Sequence, residues 1–193
     1  MPKKDTPSRE LILDVAERLM SENGYAGTPV SAICKAAGVS VTSLYWHFGS
    51  KEGLLASVME RGAERWFAAL PRGDAAVILE QGAKAVAADP LFLRLAYLLA
   101  LEAKEDEIAA KLVQRVRRQA HDYFQEVITI VLEQEHEPKI ARDLAVRLTP
   151  FAVAYSDGCF FATQLEPDTA DLHRMYTDLF VALRALAAKE GKK

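Results

Sequence analysis

The sequence predicts an all-α fold. Apolar residues recur at three- and four-residue spacing nearly throughout the chain. No alternating stretch of useful length suggests a strand, and Gly, Asn or Pro punctuates the periodic runs. The 193 residues, half of them hydrophobic and 26% charged, suffice for one large domain or two modest ones.

Taken in order, Thr6-Pro7 is a helix opening, a capping hydroxyl followed by Pro at the first helical position. Ile12, Val15, Ala16 and Leu19 make its inner face, and Asn23-Gly24 ends it. Thr28-Pro29 repeats the opening for a short helix through Val30, Ile33, Ala36 and Ala37, stopped by Gly38. Ser40 caps a third helix, with Leu44 and Phe48 inward, and Ser50 caps a fourth that runs to about Leu70. After the break "PRGD" come about five more segments: Asp74 to Ala88, Leu91 to Leu101 behind Asp89-Pro90, roughly Glu105 to Gln134, one after Pro138, and one from near Asp168. Pro150 is expected to kink or split the fourth of these.

The net charge of −3 gives no general argument for nucleic acid, so any such surface has to be local. The start lacks an apolar run behind its lysines, so a signal peptide is not expected there. No apolar stretch is long enough to span a bilayer, which points to a cytoplasmic chain without a membrane partner. Cys34 and Cys159 read as two small buried hydrophobes, with a single disulfide as the alternative. No two His or Cys residues stand three or four apart, and no Gly-rich phosphate loop is present. Neither a metal nor a cofactor is expected. His121, Asp122 and Tyr123 adjoin, but neighbours on a helix do not face one another, so they form no acid–base constellation and no enzyme is expected.

Helix, Gly38 turn, helix is the helix-turn-helix layout, whose second helix enters the major groove of DNA. Such a helix needs small hydrogen-bonding residues near its N-terminus for base edges, and Val41, Thr42 and Ser43 stand there. Around them it needs groups for phosphate oxygens, here Tyr45, His47 and Lys51. Trp46 also points outward by period, and Ser31 and Ser40 complete the expected DNA-facing set.

Residues 8 to 55 resemble the DNA-binding domain of the TetR family of bacterial one-component regulators. The carrying pattern is an apolar first helix, "ENGYAGTPVSAICKAAGVS", then "LYWHFGSKEGLL". The resemblance implies Thr28, Tyr45, His47 and Lys51 as phosphate contacts, with Thr42 and Ser43 near bases. Family members often carry a basic residue where Val41 stands and Gly where Thr42 stands. Val41 forfeits that charge but can meet a thymine methyl, and the operator sequence does not transfer.

The expected division is a DNA-binding domain at 1–55 and a helical effector-binding and dimerisation domain at 56–193. The resemblance implies a homodimer paired through its last two helices. The small residues Ala154, Gly158 and Ala162 and the stripe Leu172, Met175, Leu179 and Leu183 are the expected interface. It also implies a small effector held by the middle helices. The expected lining is Trp66, Phe67, Phe92, Leu95, Leu99, His121, Phe124, Tyr155 and Cys159. That set suits a largely apolar molecule, and the function so implied is repression at double-stranded operator DNA relieved by such an effector. The alternative is a regulator whose C-terminal domain binds a protein partner instead.

Overall fold

A computed structural model describes residues 9–86, 88–102 and 106–190. The fold is all-α, with nine helices and no strand among the described residues. They are α1 (Arg9–Asn23), α2 (Val30–Ala37), α3 (Val41–Phe48), α4 (Lys51–Ala69), α5 (Ala75–Val86), α6 (Pro90–Glu102), α7 (Glu107–Leu132), α8 (Pro138–Leu165) and α9 (Leu172–Glu190). The opening expected at Thr6-Pro7 lies outside the described residues.

Carboxylates and hydroxyls three residues ahead set most helix starts, because an N-cap oxygen takes an amide that the helix cannot satisfy. Ser40 accepts from the Ser43 amide at 3.0 Å, and Ser50 from Gly53 at 3.0 Å. Asp89 accepts from Phe92 at 3.2 Å, Asp106 from Ala109 at 3.0 Å and Asp171 from Arg174 at 3.0 Å. The last of these moves the start of α9 from the expected Asp168 to Leu172. α8 is not split at Pro150. The ring removes one amide from the helix ladder, opposite the carbonyl of Val146, and both residues are exposed, so water can take that acceptor.

The chain divides into two compact units. The first holds the described residues of Met1–Ala68 with Asp89–Val116, and the second holds Ala69–Ala88 with Arg117–Lys193. This packing does not coincide with a cut after residue 55, because α4 as far as Ala68 and all of α6 group with the N-terminal helices.

In the first unit α1 packs on α2 and α6, around Ile12, Leu13, Ala16, Met20, Ile33, Leu44, Leu54 and Leu55. Phe92 of α6 is fully buried and lies where a Cβ at Gly62 of α4 would be, so only glycine admits that ring. Charges brace the same helices. Arg61 reaches Asp14 at 2.7 Å and Glu17 at 3.0 Å, while Arg65 reaches Glu17 at 2.7 Å and Asp89 at 2.6 Å.

In the second unit α9 packs on α5 and α8. Tyr176, Leu179, Phe180 and Leu183 of α9 are buried there, as are Ala152, Val153, Ser156 and Cys159 of α8. The hydroxyls of Ser156 and Tyr176 pair at 2.5 Å, which satisfies two buried polar groups with each other.

Candidate nucleic-acid interface

The turn between α2 and α3 depends on Gly38, whose φ of 66° is the left-handed region that β-carbons disfavour. Its amide donates to the Cys34 carbonyl and closes α2, and the Val39 amide donates to the same carbonyl at 3.0 Å. Two residues later Ser40 caps α3. Both ends of the turn are therefore held by local hydrogen bonds, which sets α3 firmly behind α2.

α3 is divided by face. Leu44 and Phe48 are buried, while Val41, Thr42, Tyr45 and Trp46 are exposed, Trp46 at 81% of its surface. Val41 and Tyr45 stand four apart, as do Thr42 and Trp46, so the four form two adjacent rows on one side of the helix. Ser43 and His47 are half-buried, and the His47 ring meets Trp46 edge-on at 4.7 Å. Ser31 and Ser40 are exposed nearby in sequence, with the Ser40 hydroxyl engaged as the cap.

Two of the expected phosphate contacts sit differently from the expectation. Thr28 is 1% exposed, and its hydroxyl donates to the carbonyls of Gly24 at 2.7 Å and Leu19 at 3.1 Å. It does not cap α2, which shows no side-chain cap bond, and its hydroxyl is spent inside the fold. Lys51 is half-buried, its ammonium donating to the Tyr25 carbonyl at 2.8 Å and lying 4.4 Å from the centre of the Tyr25 ring. Burial pulls the Lys51 pKa down, against the carboxylates of Glu52 and Glu102. Burial, and then Glu52, pushes the Tyr25 phenol up to about 12, so it stays protonated and bonds Glu52. Lys51 thus ties the α1–α2 turn to the start of α4.

Lys51→Met is therefore expected to lower stability by roughly 1 kcal/mol, the worth of a partly exposed charged hydrogen bond. The slope of log affinity against log salt for DNA should not change. A slope lowered by about one counterion would instead put the ammonium on a phosphate. Arg9 was not singled out in the sequence. Its guanidinium lies 5.3 Å from the Phe48 ring centre, an exposed cation beside the end of α3. Its position gave no periodic signal that could have marked it.

The expected effector residues fall into both units. Trp66, Phe67, Phe92, Leu95 and Leu99 belong to the first, and His121, Phe124, Tyr155 and Cys159 to the second. Phe92, Leu95 and Leu99 are fully buried, Trp66 nearly so with its ring 6.2 Å from Phe92, and Phe67 half-buried. Phe124 and Cys159 are buried, and burial pushes the Cys159 thiol up to about 11, leaving it a neutral, inert group. His121 and Tyr155 are half-buried. Among the described residues no group of His, Cys, Asp or Glu is arranged to hold a metal ion. No helix among them is long and apolar enough to cross a membrane.

Of the expected interface residues, Ala154 and Gly158 are exposed, and a Cβ at Gly158 would meet nothing within 4 Å. Ala162, Leu172 and Met175 are half-buried. Leu179 and Leu183 are each 1% exposed, taken up by the chain's own packing of α9 on α5 and α8, so they cannot meet a second copy. The sequence reading missed Phe151, Phe161 and Leu165. With Ala154 and Gly158 they form an exposed stripe along α8 at alternating spacings of three and four. That spacing was readable.

Residues 12–58 match the family model described as "Bacterial regulatory proteins, tetR family". The transcriptional regulator UidR of Escherichia coli K12 is 38% identical over 65 residues, 34% of this chain and 33% of that protein. That match spans only about a third of the relative's length. RaaS, a regulatory protein of Mycobacterium tuberculosis, is 29% identical over 182 residues, covering 92% of this chain and 82% of its own. Among solved structures, a transcriptional regulator from Saccharomonospora viridis in complex with choline is similar in fold, with a TM-score of 0.71 at 18% identity. It covers 89% of this chain and 92% of that one. The α2–Gly38–α3 geometry and these matches agree: residues 12–58 are a helix-turn-helix domain of the kind that the tetR family of bacterial regulatory proteins carries.

Proposed function

We propose that the protein is a homodimeric repressor that grips operator DNA through two copies of α3 and releases it when a small, largely apolar effector binds. The observation that carries this reading is α3 itself. A helix that buries Leu44 and Phe48 while leaving Val41, Thr42, Tyr45 and Trp46 uncovered presents a surface made for contact. An eight-residue helix reads only a few base pairs, so a specific operator calls for two readers and a two-fold axis.

The α8 stripe supports a second copy as the partner. Phe151, Phe161 and Leu165 supply apolar area, and Ala154 and Gly158 leave room for a facing helix to approach closely. The choline in the Saccharomonospora regulator supports a small-molecule effector on this fold. Such a ligand acts only by binding the DNA-free conformation better, and a tenfold drop in operator affinity requires about 1.4 kcal/mol of preference. Contacts of Tyr45 and His47 with phosphates, and of Thr42 and Ser43 with bases, complete the reading.

Duplex DNA is selected from genomic fragments, and its release is followed by fluorescence anisotropy of labelled operator. A two-half-site duplex is the expected product, with release by neutral aromatic or acyl compounds. Release by charged hydrophilic metabolites alone would defeat the apolar effector. A complex that no small molecule dissolves would turn the C-terminal domain toward a protein partner.

A further inference from the structure

In the major groove, guanine is read by Arg or Lys on O6 and N7, adenine by Asn or Gln on N6 and N7, and cytosine by a carboxylate on N4. α3 carries none of these six residue types. The cations nearest to it in sequence stand off the helix, Lys35 in the last turn of α2 and Lys51 on the Tyr25 carbonyl. His47 lies in the last turn, half-buried with its ring against Trp46. At the N-terminal end, which enters a groove first, the helix offers an isopropyl group at Val41 and hydroxyls at Thr42 and Ser43. Hydroxyls pair with donors or acceptors alike and discriminate little. The isopropyl group has one selective partner in the groove, the C5-methyl of thymine.

Val41 is suited to that task. It is the first residue of the helix and 44% exposed. The Ser40 cap on Ser43 fixes the backbone around it, and its β-branch leaves one preferred rotamer in a helix. Resting on the DNA-reading assignment above, we propose that Val41 is a specificity residue that selects one thymine in each half-site through its C5-methyl group.

The experiment uses the full chain and a duplex enriched from a random pool. Each thymine of a half-site is replaced singly by uracil, which removes the methyl and keeps every hydrogen-bonding group. At one position per half-site, affinity should fall about fourfold, the worth of one buried methyl. In Val41→Ser, whose helical content is checked by circular dichroism, the same uracil should have no effect while all other positions respond as before. Indifference to uracil at every position, with a loss on replacing a guanine by 7-deazaguanine, overturns the inference and leaves DNA reading intact. A pool from which no duplex is enriched overturns the DNA reading itself, and the inference with it.

Discussion

Gly158→Trp is expected to leave the protomer folded and abolish the dimer. A Cβ at 158 meets nothing within 4 Å in the protomer, and replacing a mid-helix glycine removes a residue that weakens α8 by about 1 kcal/mol. In a two-fold interface the indole is added twice, once from each copy. With overpacking at about 1–3 kcal/mol per site, the penalty is roughly 2–6 kcal/mol. Light scattering should show a dimer for the unaltered chain, as proposed, and a monomer for the variant, with the helical signal kept. Operator affinity should fall on the order of a hundredfold or more, since a single α3 then carries the binding. A variant that stays dimeric would move the interface off the Ala154–Gly158 stretch.

Phe92→Ala should cost about 3–5 kcal/mol of stability in urea unfolding, the range for a buried aromatic ring cut to a methyl. The ring is fully buried, seated against Gly62 and 6.2 Å from Trp66. Its removal leaves a hole between α4 and α6 that those helices cannot easily close. Gly62→Ala attacks the same contact from the other side by overfilling it, and should destabilise by about 1–3 kcal/mol. A Phe92→Ala protein of undiminished stability would mean that the ring lines a space for a ligand instead of filling core.

These contrasts show what the amino-acid order made legible. Ser40 and Ser50 were read correctly as caps because capping is decided within three residues. Thr28 has the same local appearance, yet its hydroxyl turns to the Leu19 carbonyl nine residues back, a partner that exists only once α1 is folded and packed. Lys51 was expected to face phosphate because it follows α3 closely. The Tyr25 carbonyl that holds it is 26 residues away in sequence. In α9, apolar residues lie on more than one side, so periodicity could not rank the inward Leu179 and Leu183 against the outward Val181 before α5 and α8 were in place. The α8 stripe is legible from spacing alone, since Phe151, Ala154, Gly158, Phe161 and Leu165 follow one another at three and four residues. The outward face of α3 was readable because Leu44 and Phe48 fix its inward side.

The chain's two tryptophans occupy opposite surroundings: Trp46 is 81% exposed on α3, and Trp66 is 5% exposed within α4's packing. The protein therefore carries its own pair of optical probes. One indole emits from water, at long wavelength and open to quenching by iodide. The other emits from hydrocarbon, at shorter wavelength and shielded from the quencher. Loss of iodide access without a change in the blue-shifted component marks occupation of α3. Loss of the blue-shifted component marks loosening of the core, so occupancy and unfolding can be followed apart in one unlabelled sample.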